Sequence, residues 1–311
     1  MKVVLHFAAG ARLAAVLAEE SRDGLVIDST PEGDPTALRI AIADADVLLH
    51  VLEPVTSDVL AAAPRLRLVQ KLGVGVNTID LDAARDRGVA VANLPGVNAT
   101  AAAEMTLGLL LAVLRRIPQL DAATRAGSGW VLPNDMPERL GEVSGRTVGL
   151  IGYGAIAQRF GAVVEAMGAR VVHHRRDATG AGWLPLDELL AAADVVSLHV
   201  PLTDETRGMI DASRLARMKR GAILLNVARG PVVDETALVA ALTAGHLAGA
   251  GLDVFEREPI DPSSPLLRLD NVVVTPHVAW LTADTLERCV RLGVANARRL
   301  LAGEEIQHRI Q

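Results

Sequence analysis

Short apolar runs recur along the chain between stretches of helical periodicity. The first series is KVVLHF (2–7), LVIDS (25–29), DVLLHV (46–51), LRLVQKLG (66–73) and VAVANL (89–94). A second follows with RTVGLIGYG (146–154), ARVVHH (169–174), DVVSLHV (194–200), GAILLNV (221–227), AGAGLDVF (248–255) and NVVVTPH (271–277). The runs are short and near-continuous in apolar character rather than alternating, as strands buried on both faces are, so they predict parallel strands joined by helices. Two series predict two doubly wound parallel sheets.

Between the series lies TAAAEMTLGLLLAVLRR (100–116), rich in Ala and Leu. It predicts a helix bridging the two units, with Thr100 as N-cap and arginines in the last turn. The Gly- and Pro-rich segment AGSGWVLPNDMPERLGEVSG (126–145) predicts an extended arm. After the last strand, TADTLERCVRLGVANARRLLAG (282–303) predicts an amphipathic helix that packs back on the first unit.

A length of 311 residues is enough for two cores. The net charge of −6 offers no general attraction to nucleic acid or anionic membrane, so any basic site has to be local. The single cysteine, Cys289, excludes an intrachain disulfide and a thiolate metal site, and no metal is expected. TLGLLLAVL (106–114) is too short to cross a bilayer, and the early Arg12 just after MKVVLHFAAG favours a first strand over a signal sequence. A soluble, cytoplasmic protein is the expectation.

Candidate chemistry begins at Gly152-x-Gly154-x-x-Ala157, directly after a predicted strand and opening a predicted helix. Glycines there permit a tight turn and close backbone approach to a pyrophosphate, and the helix N-terminus favours its charge. Tyr153, Ala155 and Ile156 complete the loop. About 20 residues on, where such sheets often carry an acid for the ribose diol, the chain has Arg175 and Arg176. Guanidinium groups form charge-assisted bidentate bonds to phosphate, so the pair predicts NADP over NAD, with NAD possible. Asp177 is the alternative ribose contact if the strand ends later.

Three polar residues follow later strands: Arg229 in NVARGPVVDE, Glu258 in LDVFEREP and His277 in TPHVAW. Together with KLGVGVNTID (71–80), GYGAIA (152–157) and LHVPLTDETRGMI (198–210), these motifs make the whole chain resemble the D-isomer-specific 2-hydroxyacid dehydrogenase family. The resemblance implies two doubly wound parallel-sheet α/β domains, a Rossmann coenzyme domain (98–282) inserted in a flavodoxin-like substrate domain (1–97 plus 283–311), with the site between them. It implies that Arg229 holds the substrate carboxylate and keto oxygen and that His277 is the acid and base. Glu258, rather than Glu256, would orient the imidazole and favour its protonated form.

The resemblance further implies a cofactor set of Thr100, Val200, Pro201, Thr206, Val227, Ala228 and Asp253, the last accepting from the nicotinamide carboxamide. Substrate binding falls to Val74 and Gly75, the loop around Leu52 and Glu53, and Trp280 as an apolar wall or lid. His173, His174 and His199 are expected to be structural or exposed. The implied activity is NADPH-preferring reduction of a small 2-ketoacid such as glyoxylate or hydroxypyruvate, by a homodimer. Alternatives are a dinucleotide-sensing co-repressor and a phosphoglycerate or phosphite dehydrogenase, although a chain ending at Gln311 leaves no room for an added regulatory domain. Formate dehydrogenases carry an amide where Glu258 stands, which argues against that branch.

Overall fold

The computed structural model describes residues 1–176 and 180–311, and Asp177 lies outside the described residues. The chain divides into two compact units, Met1–Asn98 with Leu281–Gln311, and Ala99–Trp280. All eleven apolar runs contain a strand.

The first unit holds β1 (Lys2–His6), β2 (Val26–Thr30), β3 (Val47–His50), β4 (Leu68–Lys71) and β5 (Ala90–Ala92). They form a parallel sheet in the order β2-β1-β3-β4-β5, the flavodoxin-like order. One of its cores gathers Val4, Leu48, Val69 and Val91 from four of these strands. The C-terminal helix, Ala283–Ala302, closes this unit by burying Leu286, Cys289, Val290, Gly293, Val294 and Ala297, a spacing of three and four residues that forms one face. Thr282 caps its start by accepting the Thr285 N–H at 3.0 Å, and Gly303 ends it in the left-handed region with φ +72°. A buried polar tie, Asn296 Nδ2 donating to Gln70 Oε1 at 2.7 Å, fixes the helix against β4.

The second unit holds β6 (Thr147–Ile151), β7 (Arg170–His174), β8 (Val195–Leu198), β9 (Ala222–Asn226), β10 (Leu247–Leu252) and β11 (Val272–Val274). Their order is β11-β10-β9-β8-β6-β7, all parallel. A single parallel bridge from His173 to Trp183 lies where the usual dinucleotide fold has one more edge strand. Successive residues of each strand enter different cores. Leu150, Ile223 and Leu225 pack with Phe160 and Val164, whereas Ile151, Ala222 and Leu224 pack with Leu189 and Leu238. Both faces of the sheet are therefore dry, which is why the strands read as unbroken apolar runs.

Two expectations about the Ala/Leu-rich helix need correction. It runs Ala99–Leu114, so Thr100 lies inside its first turn and is not the cap. Arg115 and Arg116 lie beyond its end, because Arg116 enters the left-handed region (φ +48°) and a new helix starts at Ile117. The arm contains one short helix, Met136–Arg139, and otherwise turns.

Candidate active site

The strand order of the second unit reverses between β6 and β8, where open α/β sheets form their ligand crevice. Gly152 follows β6 at that point with φ +87°, and a Cβ there would lie 2.5 Å from the His199 carbonyl oxygen that follows β8. Only glycine fits both the backbone angle and the gap. Gly154 then leads into the helix Ala155–Ala166 with no side-chain cap. Among the described residues no acceptor outside the helix takes its first-turn N–H groups, an arrangement suited to an anion. The turn fits a dinucleotide pyrophosphate through Gly152, Tyr153, Gly154, Ala155 and Ile156.

Arg175 and Arg176 come directly after the end of β7 at His174. Both are exposed. Arg176 Nη2 pairs with Glu205 Oε2 at 2.6 Å, while the Arg175 carbonyl accepts the Trp183 indole N–H at 3.1 Å. Beyond β8 and β9, Val200 and Val227 are half-buried and Pro201 is exposed. Thr206 and Ala228 are buried, and Thr206 Oγ1 donates to the Pro201 carbonyl at 2.6 Å. Thr206 therefore serves to hold its own loop together.

Arg229, Glu258 and His277 follow β9, β10 and β11, three adjacent strands of one sheet. Gly230 is the local reason that the first two loops meet. A Cβ on it would lie 1.8 Å from the Phe255 carbonyl carbon, so the Arg229 loop rests directly on the backbone leading to Glu258. Glu258 Oε1 accepts the Phe255 N–H at 3.0 Å, and Oε2 accepts from His277 Nδ1 at 2.6 Å. Burial acts to raise the Glu258 carboxyl, but the hydrogen bond and charge of His277, the Phe255 N–H and the charge of Arg229 outweigh it and hold it below the usual range. Arg229 is half-buried with Nη1 donating to the Ala228 carbonyl at 2.6 Å. Burial lowers its pKa against the opposing charge of Glu258, and a guanidinium stays protonated regardless.

His277 has φ +55°, a conformation that costs a non-glycine residue about 1 kcal/mol or more. Asp253 holds it there. The Asp253 carbonyl accepts the His277 N–H at 2.7 Å, and its carboxylate accepts Thr275 Oγ1 at 2.5 Å, Val278 N–H at 2.9 Å and Ala279 N–H at 2.8 Å. Burial raises the Asp253 carboxyl against these bonds. Its side chain is 0% exposed, and its carboxylate grips the turn that carries His277. Trp280, close by in sequence, is 9% exposed.

In the first unit, no hydrogen bond among the described residues uses the N–H of Val74 or Gly75, as an anion-binding turn requires. The N–H groups of Leu52 and Glu53 are instead engaged by Glu32 Oε1, at 2.8 and 3.0 Å. Glu32, Gly230 and the clamping role of Asp253 were missed from sequence. The Gly after Arg229 was the one available signal, since glycine beside a charged strand-end residue suggests a close backbone contact.

A pyrophosphate turn and an Arg–Glu–His set at the strand ends of one sheet define a nicotinamide-dependent dehydrogenase. The family model for the NAD binding domain of D-isomer specific 2-hydroxyacid dehydrogenases matches residues 107–279. A glyoxylate reductase of Korarchaeum cryptofilum is 41% identical over 271 residues, covering 85% of this chain and 82% of that one. A D-3-phosphoglycerate dehydrogenase of Mycobacterium bovis is 44% identical over 279 residues, 87% of this chain but 52% of that one, so the chain spans about half its length. A crystal structure of a protein from Thermus thermophilus superimposes with TM-score 0.90 at 38% identity, covering 100% of both chains. The protein belongs to the D-isomer specific 2-hydroxyacid dehydrogenase family. Among the described residues no helix is long and apolar enough to cross a membrane.

Proposed function

We propose that the protein reduces glyoxylate or hydroxypyruvate to the D-2-hydroxyacid, preferring NADPH. The observation that supports this reading most is the 2.6 Å contact of His277 with Glu258, with the Arg229 charge felt at the same carboxylate. The nicotinamide supplies the hydride. Arg229 orients the substrate carboxylate and draws charge onto the keto oxygen through its planar guanidinium. Glu258 fixes the proton on Nδ1, which leaves Nε2 of His277 to donate to the oxygen and to accept the proton back in oxidation. Residues 98–282 bind the dinucleotide, and residues 1–97 with 283–311 bind the substrate, through Val74, Gly75 and the Leu52 loop. Thr100, Val200, Pro201, Val227 and Ala228 flank the cofactor.

The NADPH preference rests on the two arginines after β7. Among the described residues Arg176 is held by Glu205, and the two side chains are 70% and 67% exposed. Such a pair is worth about 0–1 kcal/mol, so a 2′-phosphate competes readily with Glu205 for the guanidinium. The exposed tip of the arm, Trp130 at 89% and Val131 at 85%, supports a homodimer, because a lone apolar patch of this kind is otherwise left wet. We place the protein in the cytoplasm, with no nucleic acid or membrane partner.

The test is a panel of 2-ketoacids with both NADPH and NADH. Turnover of glyoxylate or hydroxypyruvate with higher kcat/KM for NADPH is expected. Turnover with NADH alone overturns the cofactor assignment, and tight dinucleotide binding without turnover overturns the enzyme in favour of a sensor. The 44% identity to a phosphoglycerate dehydrogenase favours a second reading, 3-phosphoglycerate oxidation, which a phosphorylated substrate in the same panel decides.

A further inference from the structure

The second unit carries a cavity of about 330 Å³ at the opposite edge of its sheet from the catalytic residues. Its lining includes Gly221 and Asn271, which immediately precede β9 and β11, and Arg146, which precedes β6. Arg229 and His277 follow the same strands β9 and β11. At about 3.3 Å per residue, the five residues of β9 put about 17 Å between the two edges. The cavity is therefore a separate place.

Its walls are chemically specific. Arg116, Arg139 and Arg146 bring three guanidiniums, and Glu138 and Asp270 bring two carboxylates. Arg139 is paired with Asp135, and Arg146 Nε donates to the Glu142 carbonyl at 2.6 Å, which sets the direction of its guanidinium. Arg116 has no side-chain hydrogen bond or ion pair among the described residues, although its backbone is held in the left-handed conformation that puts it at this wall. Gln119 donates its Nε2 to the Asp270 carbonyl, and its Oε1 is buried with no donor among the described residues. A buried acceptor without a donor is costly, and an unpaired guanidinium beside it offers bidentate binding to an anion.

We infer that this cavity binds a small carboxylate carrying a hydroxyl or ammonium group. The carboxylate lies against Arg116 and Arg146. The hydroxyl or ammonium donates to Gln119 Oε1, and an ammonium gains further from Glu138 and Asp270. A plain carboxylate satisfies the arginines and leaves Gln119 unmatched. The volume suits a ligand of few heavy atoms, at the small end of ligand cavities.

The test compares 3-hydroxypropanoate with propanoate by ligand-observed NMR titration of the full chain. The hydroxylated probe is expected to bind about tenfold more tightly, one good hydrogen bond to an otherwise orphaned acceptor. Arg229→Ala should leave the binding that depends on Arg116 unchanged for both probes. Arg116→Gly, which suits the left-handed backbone and so keeps the fold, should weaken both at least tenfold, and Gln119→Met should bring the ratio of the two probes near one. Unchanged kcat in the last two variants confirms that they fold. Loss of binding in Arg229→Ala with retention in Arg116→Gly assigns the probe to the catalytic site and overturns the inference. So does the absence of saturable binding, or a ratio that Gln119→Met does not change.

Discussion

The backbone N–H of His277 donates to the Asp253 carbonyl at 2.7 Å, and the Asp253 carboxylate takes the next two N–H groups of the same turn. One buried residue thus holds the candidate acid in a backbone conformation it would not adopt alone. Asp253→Asn turns one accepting oxygen into an N–H donor facing other donors, a mismatch of about 1–3 kcal/mol. Thermal unfolding should fall by several degrees, and kcat should drop further than folding alone explains, because the imidazole loses its aim. Normal kcat at a temperature where the variant is fully folded would refute the clamp.

His277→Ala removes the proposed proton donor and should lower turnover by at least about 10²-fold. Dinucleotide affinity, measured by fluorescence titration, should stay within about twofold. An equal loss of both would assign His277 to cofactor binding.

Glu258 has a depressed carboxyl, so its ionised form stabilises the fold above its unfolded value of 4.5, and that contribution disappears as pH falls through the lower folded value. At 36% side-chain exposure the effect on stability is screened and small. The larger consequence is in activity. The acid limb of kcat in ketoacid reduction should fall below pH 4.5, and Glu258→Gln should abolish that limb while lowering kcat about tenfold or more.

His199 gives a second pH signature. Burial brings its pKa down to about 4 from 6.5, so the folded chain holds it neutral while the unfolded chain protonates it. Its contribution is complete above pH 6.5 and is lost between there and about pH 4. His199→Gln should flatten the pH dependence of unfolding free energy in that window by about one proton. An unchanged slope would mean that the ring titrates normally.

Gly152→Ala would place a Cβ 2.5 Å from the His199 carbonyl at φ +87°. Dinucleotide affinity should weaken at least tenfold, with a loss of unfolding temperature, while circular dichroism at low temperature stays that of the parent.

Much of this was legible beforehand. Strands buried on both faces have to be apolar at every position, as Ile151 and Leu150 show by entering different cores, so their positions stand in the linear pattern. Arg229, Glu258 and His277 were legible because each follows such a strand in a motif of its own. Helix ends were less so. Nothing local distinguishes Ala99 from Thr100 as a start, and Arg116 terminates its helix through a backbone angle that no side-chain preference announces.

By itself, then, the order of residues determined the strands, the pyrophosphate turn and the identity of the three polar groups, since burial periodicity and glycine geometry are local properties. Only the tertiary structure decided what Asp253 does, why Gly230 must be bare, and that Arg116 and Gln119 face one cavity. Those relationships depend on how separate segments meet, and distance in space is what a linear pattern does not encode.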